Sequence, residues 1–118
     1  MIEHISAVII TKNAVDTIRT TLESLKDFQE IVVFDSGSID GTVDLIKNYD
    51  NVSLYSGDFL GFGETKNHAI SLASNDWILS LDADEIVSKE LILHLNEVDL
   101  QSNLVGEVQR KNFFRKFY

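Results

Sequence analysis

Four short apolar runs, each released into a polar cluster, constrain this chain more than any other feature. They are HISAVII (4–10), EIVVF (30–34), NVSLYS (51–56) and DWILSL (76–81). The first two are almost wholly apolar and β-branched rather than alternating, the pattern of strands covered on both faces, as in parallel sheets. Stretches of helical spacing lie between and after them. Val15, Ile18, Leu22 and Leu25 fall three and four apart, and Val43, Leu45 and Ile46 recur after Ser38. ETKNHAISLAS (64–74) turns Ala69, Leu72 and Ala73 to one side, and SKELILHL (88–95) opens on a serine in N-cap position. Strands alternating with helices predict βαβ units, a mostly parallel sheet and three α/β/α layers. LVGEVQRKNFF (104–114) is a fifth strand candidate. No repeat, low-complexity tract or linker interrupts the pattern, so residues 1–118 read as one domain.

Right-handed crossovers bring the C-terminal ends of such strands to one edge, where ligands bind. Thr11-Lys12-Asn13, Asp35-Ser36-Gly37-Ser38 and Asp82-Ala83-Asp84 each follow a strand and are expected to share that rim. Asp82, Asp84 and Glu85 put three carboxylates within four positions. Like charges so close repel, and removing them from water is costly unless a cation neutralises them. Two carboxylates one residue apart at a strand end suit a hard divalent ion, Mg2+ or Mn2+. The plainer reading is a solvated acidic turn that caps the helix near Ser88; the strand-end position is what favours a site.

The same weighing applies elsewhere. Asp35 can accept hydrogen bonds from a ligand at the rim, or only shape a turn in which Ser38 or Asp40 caps the next helix. Lys66 can neutralise phosphate near a helix start, or be an ordinary surface lysine. His68 is expected to pack locally, and GFG (61–63) lacks the context of a dinucleotide fingerprint.

The net charge of −9 argues against a nucleic-acid partner. The charge is uneven: RKNFFRKFY (110–118) carries four basic residues, four aromatics and no acid. That segment predicts either peripheral contact with an anionic membrane surface or an internal strand and turn. There is no cysteine, hence no disulfide and no thiolate metal site. No apolar run approaches the roughly 20 residues that span a bilayer, and the N-terminus lacks the basic start of a signal peptide.

Three rival sites fail on the letters. A haloacid-dehalogenase phosphatase needs an acid where Gly37 stands, and a response regulator needs acids where Thr11, Lys12 and Asn13 stand. An EF-hand loop needs oxygen ligands and a glycine after Asp84, where Ile86 follows and no glycine comes. By contrast ISAVIITKNA, IVVFDSGSIDGT, GFGETKNHAI and WILSLDADE, in that order and spacing, resemble the nucleotide-binding half of a family 2 glycosyltransferase of GT-A fold. The flavour is that of bacterial enzymes adding a sugar to lipopolysaccharide core or another cell-envelope glycan.

The resemblance implies a UDP-sugar donor, Mg2+ or Mn2+, and inverting transfer of a hexose to a glycan or glycolipid acceptor. It implies a cytoplasmic enzyme, peripheral at the inner face of the membrane. Thr11 is implied against the uridine, Asp35 on the uracil or ribose, and Lys66 near the base and phosphates. Asp82 is implied to face the ribose and donor sugar, and Asp84 to bind the metal. Lysine at 66 departs from the family's usual arginine and loses its planar fork. The family's base and acceptor side lie downstream of the D-x-D. A truncated GT-A domain is therefore expected, with its catalytic base beyond Tyr118, binding donor without transferring it. Two alternatives stand beside it: a nucleotide-sugar-binding module without turnover, and a nucleotidyltransferase. The second is disfavoured because TKNAVDT (11–17) has no glycine for a phosphate loop. Exposed aromatics at Phe113, Phe114, Phe117 and Tyr118 predict self-association as a homo-oligomer.

Overall fold

The two β-branched runs become neighbouring strands at the centre of the sheet. The computed structural model describes residues 1–97 and, as a strand, 108–110. Five strands are present: β1 (Ile5–Thr11), β2 (Ile31–Asp35), β3 (Val52–Ser56), β4 (Trp77–Asp82) and β5 (Val108–Arg110). Their order is β3-β2-β1-β4-β5. The first four are parallel, and β5 pairs antiparallel with β4, with Leu79 opposite Val108. Ile5 to Ile9 and all of β2 are buried, as continuous apolar runs in a doubly covered sheet require. β3 lies outside β2 and alternates: Val52 and Leu54 pack on the core while Ser53 and Tyr55 face solvent.

Four helices complete the layers: α1 (Ile18–Ser24), α2 (Thr42–Ile46), α3 (Phe62–Ser71) and α4 (Lys89–Glu97). The larger core joins Ile5, Ala7, Ile9, Ile31, Val33, Leu79 and Leu81 of the sheet to Ile18 and Leu22 of α1, Ile46 of α2 and Ile92 of α4. The smaller one joins Val8, Val32, Phe34 and Ile78 to Ala69 and Ile70 of α3. Thus α1, α2 and α4 cover one face and α3 the other, which is the expected three-layer α/β/α arrangement.

Boundaries shift for local reasons. Val15 was expected on the apolar face of the first helix but is 37% exposed. Residues 13–15 are bonded to the next rim loop instead, and α1 starts only at Ile18. α3 starts at Phe62, inside the glycine loop, because Thr65 turns back to accept the Leu60 N–H at 2.9 Å. α4 is capped as expected, with Ser88 Oγ accepting the Leu91 N–H at 3.1 Å. The remainder of the fifth strand candidate, and the segment 111–118 with its aromatic residues, lie outside the described residues. No helix among the described residues is long and apolar enough to cross a membrane.

At the N-terminal edge of the sheet, Glu30 accepts hydrogen bonds from the Ser6 hydroxyl and from Ser74 N–H and Oγ at 2.9 and 2.7 Å. This ties β1, β2 and the α3–β4 turn together opposite the expected site. Leu79 is fully buried between β1 and β5, whereas Leu93 on α4 is 65% exposed. Leu79→Ala is therefore expected to cost about 2–5 kcal/mol in urea unfolding, and Leu93→Ala to stay within about 0.5 kcal/mol.

Candidate functional site

The three polar clusters meet at the C-terminal edge of the sheet. Thr11 stands opposite Asp35 in the β1–β2 register, and Asp82 stands opposite Ile10 in the β1–β4 register. They approach from different faces. By strand alternation Thr11 and Asp35 continue the α1/α2 face, while Asp82 continues the α3 face, where Lys66 lies.

DSGSIDGT (35–42) is chiefly a joint between two loops. Asp35 is buried, and its Oδ2 accepts the N–H groups of Gly37 and Ser38 at 3.2 and 2.9 Å. Its Oδ1 accepts the Ser38 hydroxyl. Gly37 permits this turn, since its φ of 109° is one that side-chain-bearing residues rarely adopt. Ser38 Oγ accepts the Asn13 N–H at 2.8 Å, and Asn13 Oδ1 accepts the Ile39 N–H at 2.8 Å. Asn13 takes a left-handed φ of 53° to make this clasp, a conformation asparagine tolerates better than most.

A second clasp follows. Asp40 Oδ2 accepts the Val15 N–H at 3.2 Å, and its Oδ1 accepts the N–H groups of Gly41 and Thr42 at 3.0 Å. Fully buried Thr42 donates its hydroxyl to Asp40 and accepts the Ala14 N–H at 2.9 Å. The Thr42 hydroxyl, helped by backbone N–H groups, holds the Asp40 carboxyl below the usual aspartate range. Neither Ser38 nor Asp40 sits at the N-cap of α2, which is Gly41.

Thr11 is 2% exposed, and its hydroxyl has no hydrogen-bond partner among the described residues. An unpaired buried hydroxyl costs about 1–3 kcal/mol, and the Ser80 hydroxyl on β4 is left in the same state. Asp35 already accepts three hydrogen bonds; of about four lone-pair sites on a carboxylate, this leaves about one for anything else.

Lys66 is 7% exposed and is no ordinary surface lysine. Its stem lies in the α3 layer and its ammonium reaches the rim, 4.0 Å from Asp82 Oδ1 and 4.9 Å from the centre of the Phe62 ring. Exposed His68 stacks edge-on to Phe34 at 5.4 Å, a local packing role. Just past β3, a Cβ at Gly57 would stand 2.8 Å from Phe34 Cζ, so a larger residue there would have to displace that ring.

Asp82, Asp84 and Glu85 are exposed. The turn they form is nevertheless held firmly. Glu85 Oε1 accepts the Asp82 N–H at 2.8 Å, and the Glu85 N–H bonds the Asp82 carbonyl at 3.1 Å. The hydroxyls of Thr17 and Thr21 on the α1 side both reach the Ala83 carbonyl at 3.0 Å. Ser24 Oγ accepts the Val87 N–H at 3.1 Å. No group of three or more His, Cys, Asp or Glu side chains forms a ready metal cage among the described residues. Two carboxylates at an open rim suit a cation that takes its other ligands from water and phosphate, as Mg2+ characteristically does.

A sequence model of glycosyl transferase family 2 matches residues 6–110. The chain belongs to glycosyl transferase family 2. An uncharacterized glycosyltransferase of Rickettsia felis is 43% identical over 90 residues, which cover 75% of this chain and 31% of that protein. The lipopolysaccharide core biosynthesis glycosyltransferase LpsC of Rhizobium meliloti is 35% identical over 92 residues, covering 74% and 34% respectively. Among solved structures, glucosyl-3-phosphoglycerate synthase from Mycobacterium tuberculosis, in complex with Mn2+, UDP and glucosyl-3-phosphoglycerate, aligns with a TM-score of 0.58 at 26% identity. That alignment covers 67% of this chain and 33% of the synthase. The chain therefore spans about a third of the length of the curated relatives it matches. The parallel four-strand sheet with its helices is the GT-A arrangement of glycosyl transferase family 2.

Sequence reasoning placed Asn13 on the rim without its bonding role, and did not find Thr42, Thr17, Thr21 or Ser24. The last three have a visible signal, hydroxyl residues spaced four and three apart beside the apolar stripe of α1. Asp40 was considered only as a cap. Its depressed pKa means that its contribution to stability is present above the ordinary aspartate range and lost as pH falls below about 4. Urea midpoints measured at pH 7 and pH 3 should therefore fall less in Asp40→Asn than in the parent chain, with the variant the weaker of the two at pH 7.

Proposed function

We propose that this chain is the donor-binding part of a glycosyltransferase that takes a UDP-sugar with a divalent cation and transfers a hexose, with inversion, to a cell-envelope glycan. The observation that carries the reading is the Asp82–Glu85 turn, its carboxylates facing solvent beside Lys66 at the strand ends of a family 2 domain. The Mn2+ and UDP named for the mycobacterial synthase support the cation and the nucleotide. The name of the Rhizobium relative supports a lipopolysaccharide-like acceptor.

In this reading Thr11 and Asp35 receive the uridine, the first through its unpartnered hydroxyl and the second through its remaining lone pair. Lys66 offers its ammonium to the phosphates, with Asp82 beside it toward the ribose and sugar. Asp84 is the protein ligand of Mg2+ or Mn2+, which when bound supplies Lewis-acid relief of the charge on the leaving diphosphate. Burial keeps the Lys66 stem in place, so a reacting diphosphate meets a positioned charge rather than a mobile one. Glu85 is not assigned as the base, because its carboxylate closes the turn through the Asp82 N–H. The acceptor side and the base belong, in this reading, to a region corresponding to the rest of the longer relatives. The same reading places the enzyme at the inner face of the membrane, with residues 110–118 as the contact.

Calorimetry with UDP tests the assignment. Affinity is expected to rise with Mn2+, and Asp84→Asn should remove about tenfold or more of that gain. Equal UDP affinity with Mn2+ and with a chelator would sink the cation role. Thr11→Val should lower UDP affinity about two- to tenfold, the range of one neutral hydrogen bond, without lowering the melting temperature. Unchanged UDP binding in that variant would remove Thr11 from the site.

A further inference from the structure

We propose that Thr17 and Thr21 are positioning residues for the cation site, acting on Asp84 through the Ala83 carbonyl; the proposal rests on the donor-and-cation reading above. Both hydroxyls reach that one oxygen at 3.0 Å, enough to use both of its lone pairs, and the single Thr17 proton has the Ala14 carbonyl at 3.4 Å as its longer alternative. Thr21 is 1% exposed, so its end of the bond is buried while Ala83 is half-buried. Ser24 donates to the Thr21 carbonyl at 2.6 Å and accepts the Val87 N–H at 3.1 Å. One side of α1 thus grips the segment on both sides of Asp84.

The consequence follows from peptide planarity. The Ala83 carbonyl lies in the same rigid plane as the Asp84 N–H and Cα. Two hydroxyls that fix the direction of the carbonyl therefore fix the place of the Asp84 N–H and Cα, which leaves only rotation about the N–Cα bond and the side chain's own torsions to set its carboxylate. The preceding residue is anchored independently, since Asp82 is in register with β1 and closed by Glu85. Ala83 itself packs against the larger core. The middle residue of the D-x-D is tied to the α1 side while the Asp82 and Asp84 side chains stand in solvent from an anchored backbone. A cation ligand on a backbone held this way has less to order on binding, and loss of the groups that orient a ligand typically costs 10–100-fold in metal affinity.

The test is UDP titration of the chain and of Thr17→Val/Thr21→Val, each with Mn2+ and with EDTA, alongside the electron paramagnetic resonance signal of free Mn2+ in the presence of UDP. The double variant is expected to lose about tenfold of the Mn2+-dependent gain and to release Mn2+ correspondingly, with UDP affinity in EDTA within about twofold of the parent. Thr17→Ser/Thr21→Ser, which keeps both hydroxyls, should recover most of the gain. A valine pair that retains the full Mn2+ gain overturns the proposal. So does a loss of UDP affinity of the same size in EDTA, or a serine pair no better than valine, because each describes a merely structural role. Thr21→Val alone serves where the double variant does not fold, judged by circular dichroism, and is held to the same outcomes. A parent chain that binds UDP equally with and without Mn2+ overturns the underlying reading, and this proposal with it; the two failures are told apart by which protein shows no Mn2+ gain.

Discussion

Everything at the candidate site depends on β1 being hydrogen-bonded on both sides and covered on both faces. A strand so placed cannot slip by one residue without turning its whole apolar set to the wrong layer. Its register therefore fixes which residues of β2 and β4 arrive beside its end. Thr11 meets Asp35, and Ile10 meets Asp82, because Ala7, Val8 and Ile9 admit no other alignment without exposing the two cores. Site geometry here is inherited from apolar packing several residues away.

The rim then adds a second level of order. Loops that leave parallel strands are ordinarily the mobile part of such a sheet. Here the first two are bonded to each other through Asn13, Ser38, Asp40 and Thr42, and the last is bonded to α1 through Thr17, Thr21 and Ser24. Side-chain hydroxyls and carboxylates do at this edge what ladder hydrogen bonds do within the sheet. Lys66 and Asp82 approach from one face of the sheet, and Thr11 and Asp35 from the other. A ligand that touches all four has to lie across the strand ends rather than along one of them.

Much of this was legible in the letters. Continuous β-branched runs announced buried parallel strands, and the spacing of Ile18, Leu22 and Leu25 announced the helix that covers them. The rim residues could be chosen because strand ends in such sheets face one way. Less was legible where one residue serves partners far away in sequence. Nothing in the letters says that Thr42 receives the Ala14 N–H or that Thr21 reaches Ala83, since both bonds exist only once the strands are aligned. Val15 fits a helical stripe by spacing but is drawn off by the clasp to Asp40, a tertiary bond that outweighs a local preference. Lys66 reads as a surface residue by type, and only the α3 packing shows its stem to be buried.

The exposed acidic turn bears on kinetics. In the proposed function the incoming nucleotide diphosphate is an anion, whereas the chain carries a net charge of −9 and its Asp82–Glu85 turn alone exposes three carboxylates. Encounter between like charges is slowed at long range, and added salt relieves that repulsion. Lys66 offsets one of those charges at close range, but its ammonium is already shared with Asp82. If the nucleotide arrives as its divalent-cation complex, part of the repulsion is cancelled before contact. On the proposed donor reading, this charge distribution would favour capture of cation and nucleotide together over capture of the bare anion, and the abundance of the complex in solution would then set how fast the site fills.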